Sequence, residues 1–285
     1  MSRLHEADKK EFIKKFDGLT GRYSGWEVWK DMVWLFAISI ANTCDRRNLE
    51  AREAMYKHIS EKYDAAGMNT FSQLFALLIE ILERSPFQDF LGDIFMELGL
   101  GNAWAGQFFT PYSVCKAMAE MTVGGAKEKL QTQEYFSVND PACGAGATLI
   151  AVAESMHLQH INYQQDVLFV AQDIDATAAL MCYTQLSLLG CAGYVHIGDT
   201  LTQPMVGHVL FGDEGANTWY TPLYFAPIWD ARRAGYALRG ILKKLGSLPC
   251  EPKKHREESV EQPAVIEVKK KPRRGSTGQL MFDFG

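Results

Sequence analysis

Four short stretches of this sequence carry acids and glycines at spacings that can hold a ligand. In Asn139-Asp140-Pro141-Ala142-Cys143-Gly144-Ala145-Gly146, an acid is followed by two glycines at a turn before a helical run. Glycine lets the backbone approach a ligand closely and adopt dihedrals that a side chain forbids. The start of a helix offers N–H groups with no partner in the helix. Gln172-Asp173-Ile174-Asp175 lies about 30 residues further on, where an acid suits a ligand with a ribose diol. Asp175 sits well as the N-cap before Ala176, which leaves Asp173 as the better ribose ligand. In Gly198-Asp199-Thr200-Leu201 the carboxylate could accept a hydrogen bond from an exocyclic amine of adenine; taken alone it is a turn signal. Gly106-Gln107-Phe108-Phe109-Thr110-Pro111 precedes the glycine turn. There Thr110-Pro111 opens a helix with proline in the first turn, and the plainer reading is a capped helix start with buried phenylalanines. The glycine spacing is not that of a dinucleotide fingerprint, and no Lys-Ser/Thr pair follows Gly146, which disfavours a nucleoside triphosphate.

The elements around these stretches alternate. Tyr135–Val138, Val167–Val170 and Tyr194–Ile197 read as strands, with helices over Ala147 to about His157 and Ala176–Leu189. Strand, helix, strand, helix, strand is the signature of a parallel, right-handed wound sheet. Ligands of such sheets sit beyond the carboxyl ends of the strands, where Asp140, Asp173 and Asp199 fall. Before residue 100 the pattern is helical. Trp26, Trp29, Met32, Val33 and Phe36 predict one apolar stripe, and Phe71–Leu82 and Phe87–Leu98 predict others, giving three to five helices. Val206–Phe211 could supply one more strand, and Ala231–Leu245 could form a basic helix.

Composition narrows the class. The 285 residues are 47% hydrophobic, enough for a sizeable core. No purely apolar, uncharged run reaches 18 residues, and Met32–Ala41 reads as a buried helix rather than a membrane span. The N-terminus lacks the apolar stretch of a secretory signal. The six cysteines form no CxxC pair or zinc-spaced cluster, so no metal is expected and reduced thiols in a cytoplasm fit best. The formal charge is −5, unevenly spread: residues 241–285 hold ten Lys/Arg and six Asp/Glu (+4), and the rest 19 and 28 (−9). A basic tail of this kind is either a solvated linker or a contact for nucleic-acid phosphates.

In this order and spacing, GQFFTP, DPACGAG, QDID and GDTL resemble the methylation subunit of type I restriction systems and its adenine-N6 DNA methyltransferase relatives. Asp89-Phe90-Leu91-Gly92-Asp93-Ile94-Phe95 resembles the helix that leads into GQFFTP in that family, so the resemblance covers about residues 87–201. It implies an α/β fold: the Rossmann-like parallel sheet of S-adenosylmethionine (SAM)-dependent methyltransferases, with an N-terminal helical domain. It also implies SAM as cofactor and DNA as substrate. On that resemblance Gln107, Phe108, Phe109, Thr110 and Pro111 line the methionine and adenosine of SAM. Asp140, Pro141, Gly144, Ala145 and Gly146 hold its amino-acid end, Asp173 takes the ribose hydroxyls, and Asp199 takes the adenine amine.

The resemblance fails at the family's catalytic tetrapeptide, Asn/Asp/Ser-Pro-Pro-Tyr/Phe. That motif accepts hydrogen bonds from the adenine N6 and stacks its aromatic ring on the flipped base. No such tetrapeptide occurs here. Thr221-Pro222-Leu223-Tyr224 comes nearest, making Thr221, Pro222 and Tyr224 degenerate catalytic candidates, with Ala226-Pro227-Ile228-Trp229 next. A full methyltransferase sheet needs about four more strands after Asp199, and too few residues remain before the tail. A truncated sheet is therefore expected, its open edge covered by the aromatic segment 217–229 or by a partner chain.

The expected organisation is a helical domain over 1–103, a SAM-binding methyltransferase-like domain over 104–245, and a disordered basic tail over 246–285. The tail ends in a second resemblance. Gln279, Leu280, Phe282 and Phe284 look like the anchors of a bacterial sliding-clamp-binding peptide. Two functions follow. One is an adenine-N6 DNA methyltransferase of a bacterium or mobile element, with a degenerate site or a catalytic half supplied by a specificity or partner methyltransferase subunit. The other is a non-catalytic SAM- or DNA-binding module derived from such an enzyme. No membrane association is expected.

Overall fold

The computed structural model describes residues 3–100, 109–213, 215, 217–244, 273–274 and 280–281. Met1–Tyr236 form one compact unit and Ala237–Gly285 a second. Gln107 and Phe108 lie outside the described residues. So do most of the tail and the proposed clamp anchors Gln279, Phe282 and Phe284.

The first unit opens with five helices: α1 (Arg3–Asp17), α2 (Gly25–Cys44), α3 (Leu49–Ser60), α4 (Ala65–Arg84) and α5 (Phe90–Glu97). Their starts follow the capping chemistry of the sequence. Ser24, Asp64 and Asp89 cap α2, α4 and α5 by accepting hydrogen bonds from the N–H of Glu27, Gly67 and Gly92. The predicted stripe of α2 buries Trp29, Met32, Val33 and Phe36. Trp26 departs from it and stays 47% exposed, beside the Lys30 ammonium. By length and composition α4 alone among the described helices could cross a membrane; its Phe71, Leu74, Leu78 and Ile81 are buried in the core.

After α6 (Tyr112–Val123) and α7 (Ala126–Leu130) the chain alternates. The order is β1 (Phe136–Asp140), α8 (Ala147–Leu158), α9 (Tyr163–Asp166), β2 (Val167–Asp173), α10 (Ala176–Leu189) and β3 (Gly193–Ile197). β1 pairs parallel with β2 and β2 with β3, the arrangement predicted. α8 and α10 are apolar almost all round because each lies between the sheet and other helices. α10 packs on α2, and the Trp29 indole N–H points at Met181 Sδ across that contact, 3.3 Å away. The N-terminal helices and this face of the sheet thus share one core.

The remaining elements depart from expectation. Val206–Phe211 forms no strand. Its place in the sheet goes to β4 (Thr218–Tyr220), which runs antiparallel on the outer edge of β3. The sheet order is therefore β1-β2-β3-β4. A short 3-10 turn, Pro222–Phe225, and α11 (Pro227–Lys244) follow, the helix starting four residues before the predicted Ala231. Tyr220, Tyr224 and Trp229 pack on Leu168, Val170 and Tyr194, so the aromatic segment covers the second face of β2 and β3 as well as the β3 edge. β1 pairs on one side only among the described residues, and its Ser137 and Asn139 are exposed. In the second unit the described residues are the end of α11 and an antiparallel pair, β5 (Arg273–Arg274) with β6 (Leu280–Met281).

Candidate functional site

The parallel register sets the three acids along one edge. Asp140 ends β1 opposite Ala171, Asp173 ends β2 opposite Ile197, and Asp199 follows two residues after β3. Their loops lock together. Cys143 N–H donates to Gln172 O at 3.0 Å, Gly198 N–H to Asp173 O at 2.9 Å, and the Thr200 hydroxyl to Pro141 O. Gln172, 1% exposed, donates from Nε2 to Gly198 O and Gln203 O. It fixes the loop that carries Asp199.

The glycine turn needs both of its glycines. Gly144 has φ +53° and Gly146 φ +98°, values that favour glycine. A Cβ on Gly144 would lie 3.1 Å from the Phe109 ring, and one on Gly146 would lie 2.9 Å from Cys182 Sγ. Phe109, stacked near Phe95 with ring centres 5.4 Å apart, thus packs on the turn. Pro111 is the N-cap of α6 rather than its first residue. The N-cap of α8 is Gly146, which has no side chain, and among the described residues no side chain accepts from the first-turn N–H groups of that helix.

The acids divide into two kinds. Asp140 Oδ1 accepts from Ala142 N–H at 3.2 Å. Asp173 accepts from Gly144 N–H at 2.8 Å and from Asp175 N–H at 2.9 Å, one on each oxygen. Burial nevertheless pushes both carboxyls above the ordinary carboxylate range, because neighbouring N–H groups only partly offset it. Neither forms a salt bridge to a described lysine or arginine. Asp199 behaves oppositely. The Leu201 N–H, then the Thr202 hydroxyl, hold it below the ordinary range, and its oxygens serve its own turn. Asp175 caps α10 through Ala178 N–H at 2.8 Å, as predicted.

The catalytic candidates do not join this edge. β4 is antiparallel, so its end lies at the start of β3, and Thr221 N–H donates to Gly193 O at 3.0 Å. From Gly193 to Ile197 the strand is ~13 Å long, which separates Thr221 from the acids. Thr221 is 0% exposed; its hydroxyl donates to Cys191 O at 2.7 Å and accepts from Gly193 N–H at 3.0 Å. Pro222 opens the 3-10 turn. Tyr224 is buried beneath the Arg233 guanidinium, with its hydroxyl donating to Leu210 O at 2.8 Å. Trp229, in the second candidate stretch, is fully buried and donates to Gln164 O. Thr221, Pro222 and Tyr224, the degenerate catalytic candidates, thus lie away from the edge that carries the three acids. A parallel fourth strand would have brought its end to the acids, and this one turns the other way.

Two features escaped the sequence reading. Ile174 (71% exposed) and Leu201 (92% exposed) each stand beside or near an acid at this edge. The available signal was a large apolar residue just past a strand end. Gln185, buried in α10, donates to Ala145 O at 2.9 Å. Its signal was a lone amide in the apolar run of that helix.

Residues 88–230, just over half of the 285, match the family model of N-6 DNA methylases, and the chain belongs to that family. A solved structure with a similar trace is the methyltransferase subunit of a type I restriction-modification system from Streptococcus thermophilus. It is 14% identical, with a TM-score of 0.39; the match covers 72% of this chain and 60% of that one. This chain therefore spans about 60% of that protein's length. No curated protein matches.

Proposed function

We propose that this chain is the SAM-binding portion of an adenine-N6 DNA methyltransferase, holding the cofactor at the carboxyl edge and lacking the base-holding residues. One observation carries the proposal: Asp140 and Asp173 are half-buried carboxylates without a described cationic partner, on either side of the glycine turn. Acceptors in that state suit a ligand that brings a positive charge and hydroxyl donors, and SAM has a sulfonium, an ammonium and a ribose diol. When bound, SAM supplies an electrophilic methyl group.

The residues take these roles. Asp173 accepts from the ribose hydroxyls while its bond to Gly144 N–H keeps the turn against it. Asp140, Pro141, Gly144, Ala145 and Gly146 form the wall for the amino-acid end, and Asp199 receives the adenine amine. Phe109, Thr110 and Pro111 close the site, together with Gln107 and Phe108.

Thr221 cannot present adenine to this edge, since its hydroxyl is spent on Cys191 and Gly193. Methylation would then require a second polypeptide, such as a specificity or partner methyltransferase subunit. The outer edge of β1, which has no strand partner among the described residues and ends in Asp140, favours that arrangement. The alternative is a module that binds SAM or DNA and does not methylate. Purified chain given tritiated SAM and mixed-sequence DNA should leave adenine unlabelled while SAM binds at micromolar levels by calorimetry. Labelled adenine from the chain alone would overturn the division of labour, and absent SAM binding would overturn the site.

A further inference from the structure

Behind the glycine turn lies a buried relay that none of the roles above uses. Asp89 caps α5 by accepting from Gly92 N–H at 3.1 Å. The same oxygen accepts from Gln185 Nε2 at 2.8 Å. That Nε2 also donates to Ala145 O at 2.9 Å, and Gln185 Oε1 accepts from Leu91 N–H at 3.0 Å. Both donors and the acceptor of one amide are thus engaged, two of the bonds reaching the start of α5 and one the glycine turn. Gln185 is 1% exposed and Asp89 5%. Gly92 is required as well, since a Cβ there would lie 2.2 Å from Asp89 Oδ2.

Ala145 O belongs to the peptide that leads into Gly146, whose φ of +98° starts α8. Fixing that carbonyl fixes the plane of the Ala145–Gly146 peptide, and with it the direction of the first N–H groups of α8. Asp140 and Asp173 hold the front of the turn through Ala142 N–H and Gly144 N–H, and Gln185 holds its far end at the Ala145 carbonyl, beside a glycine whose positive φ leaves the backbone pliant. A buried amide with every group satisfied is a firm anchor, because breaking any bond leaves a polar group unpaired in the core.

We infer that Gln185, held by Asp89, is a positioning residue that keeps the glycine turn in its ligand-ready shape and so couples α5 to cofactor affinity. This rests on the reading of the turn as the SAM site. It adds that affinity is set partly by a residue that never touches SAM.

The test compares SAM binding by calorimetry for the full chain and two variants. Gln185→Met removes both donors and should weaken SAM about tenfold. Gln185→Glu should bind as weakly near pH 8. As the pH falls towards about 5.5, the adjoining carboxyls of Asp89 and of the substituted side chain take up a proton between them, which restores a hydrogen bond across the pair, so this variant should recover relative to wild type, in which Asp89 titrates alone, and Gln185→Met should not. A role confined to stability would lower the melting temperature of both variants and leave SAM affinity unchanged at temperatures where they are folded. That result, or a Gln185→Glu pH profile parallel to wild type, overturns the inference. Should neither variant fold, hydrogen exchange on the wild type decides. SAM should slow exchange at the Leu91 amide and leave Ile59 in α3 unaffected; no slowing at Leu91 overturns the relay. Wild type that takes up no SAM overturns the site itself, a different failure from wild type and variants binding alike.

Discussion

The carboxyl ends of β1 and β2 hold two half-buried acids whose charges lack a described counter-cation, beside a turn that needs two positive-φ glycines. The amino end of β3 holds a neutral threonine with its hydroxyl fully used, under a lid of tyrosines and tryptophan. One end keeps polar capacity in reserve, as binding sites do. The other has spent it on closing the fold. An apolar sheet cut short after β3 must cover its edge, and the segment where a catalytic tetrapeptide would be sought has become that cover.

The contrast can be broken first through pH. Asp89, the acid behind the turn, is pushed by burial to about 6 from 3.8, with Lys9 and Asp93 the charged groups facing it. A raised carboxyl contributes stability below its unfolded value that is lost as the pH rises through its folded value. Roughly 3 kcal/mol should therefore disappear between about pH 4 and pH 7. Denaturant titrations of Asp89→Asn should show a flatter slope over that range; an unchanged slope would mean that the carboxyl is not perturbed.

At the neutral end, Thr221→Val leaves Gly193 N–H and Cys191 O without their hydroxyl partner and should cost about 2–3 kcal/mol in chemical denaturation. A loss below about 0.5 kcal/mol would show that Thr221 is not the closure described here. Gly144→Ala places a side chain at φ +53° against Phe109 and should cost about 1–2 kcal/mol, with weakened SAM binding. The smallest effect is expected from Asp199→Ala. Its oxygens already serve Leu201 and Thr202, so SAM affinity in calorimetry should fall less than for Asp173→Asn, and a larger fall would reverse the ranking of the acids.

Much of this was legible in the sequence because it depends on local chemistry. Strand ends, the glycine turn, the Asp175 cap and the parallel order all follow from periodicity and capping. The direction of β4 did not, since Thr218-Trp219-Tyr220 is too short for its pattern to tell parallel from antiparallel pairing. Long-range contacts decide it: Tyr183 OH donates to Tyr220 O, and Trp34 and Tyr183 pack edge-on against Trp219. Gln185 was hidden for a similar reason, as its three partners are distant in sequence or on another element. Trp26 fell off its predicted stripe although Val28, in the same first turn of α2, is fully buried, a difference that periodicity alone does not carry.

The most direct measurement is a parallel titration of SAM into Asp173→Asn and Thr221→Val at a temperature where both are folded. Loss of charge at Asp173 should weaken SAM by at least about tenfold, while Thr221→Val should bind like wild type. Unchanged binding by Asp173→Asn, or weakened binding by folded Thr221→Val, would contradict the placement of the cofactor at the carboxyl edge.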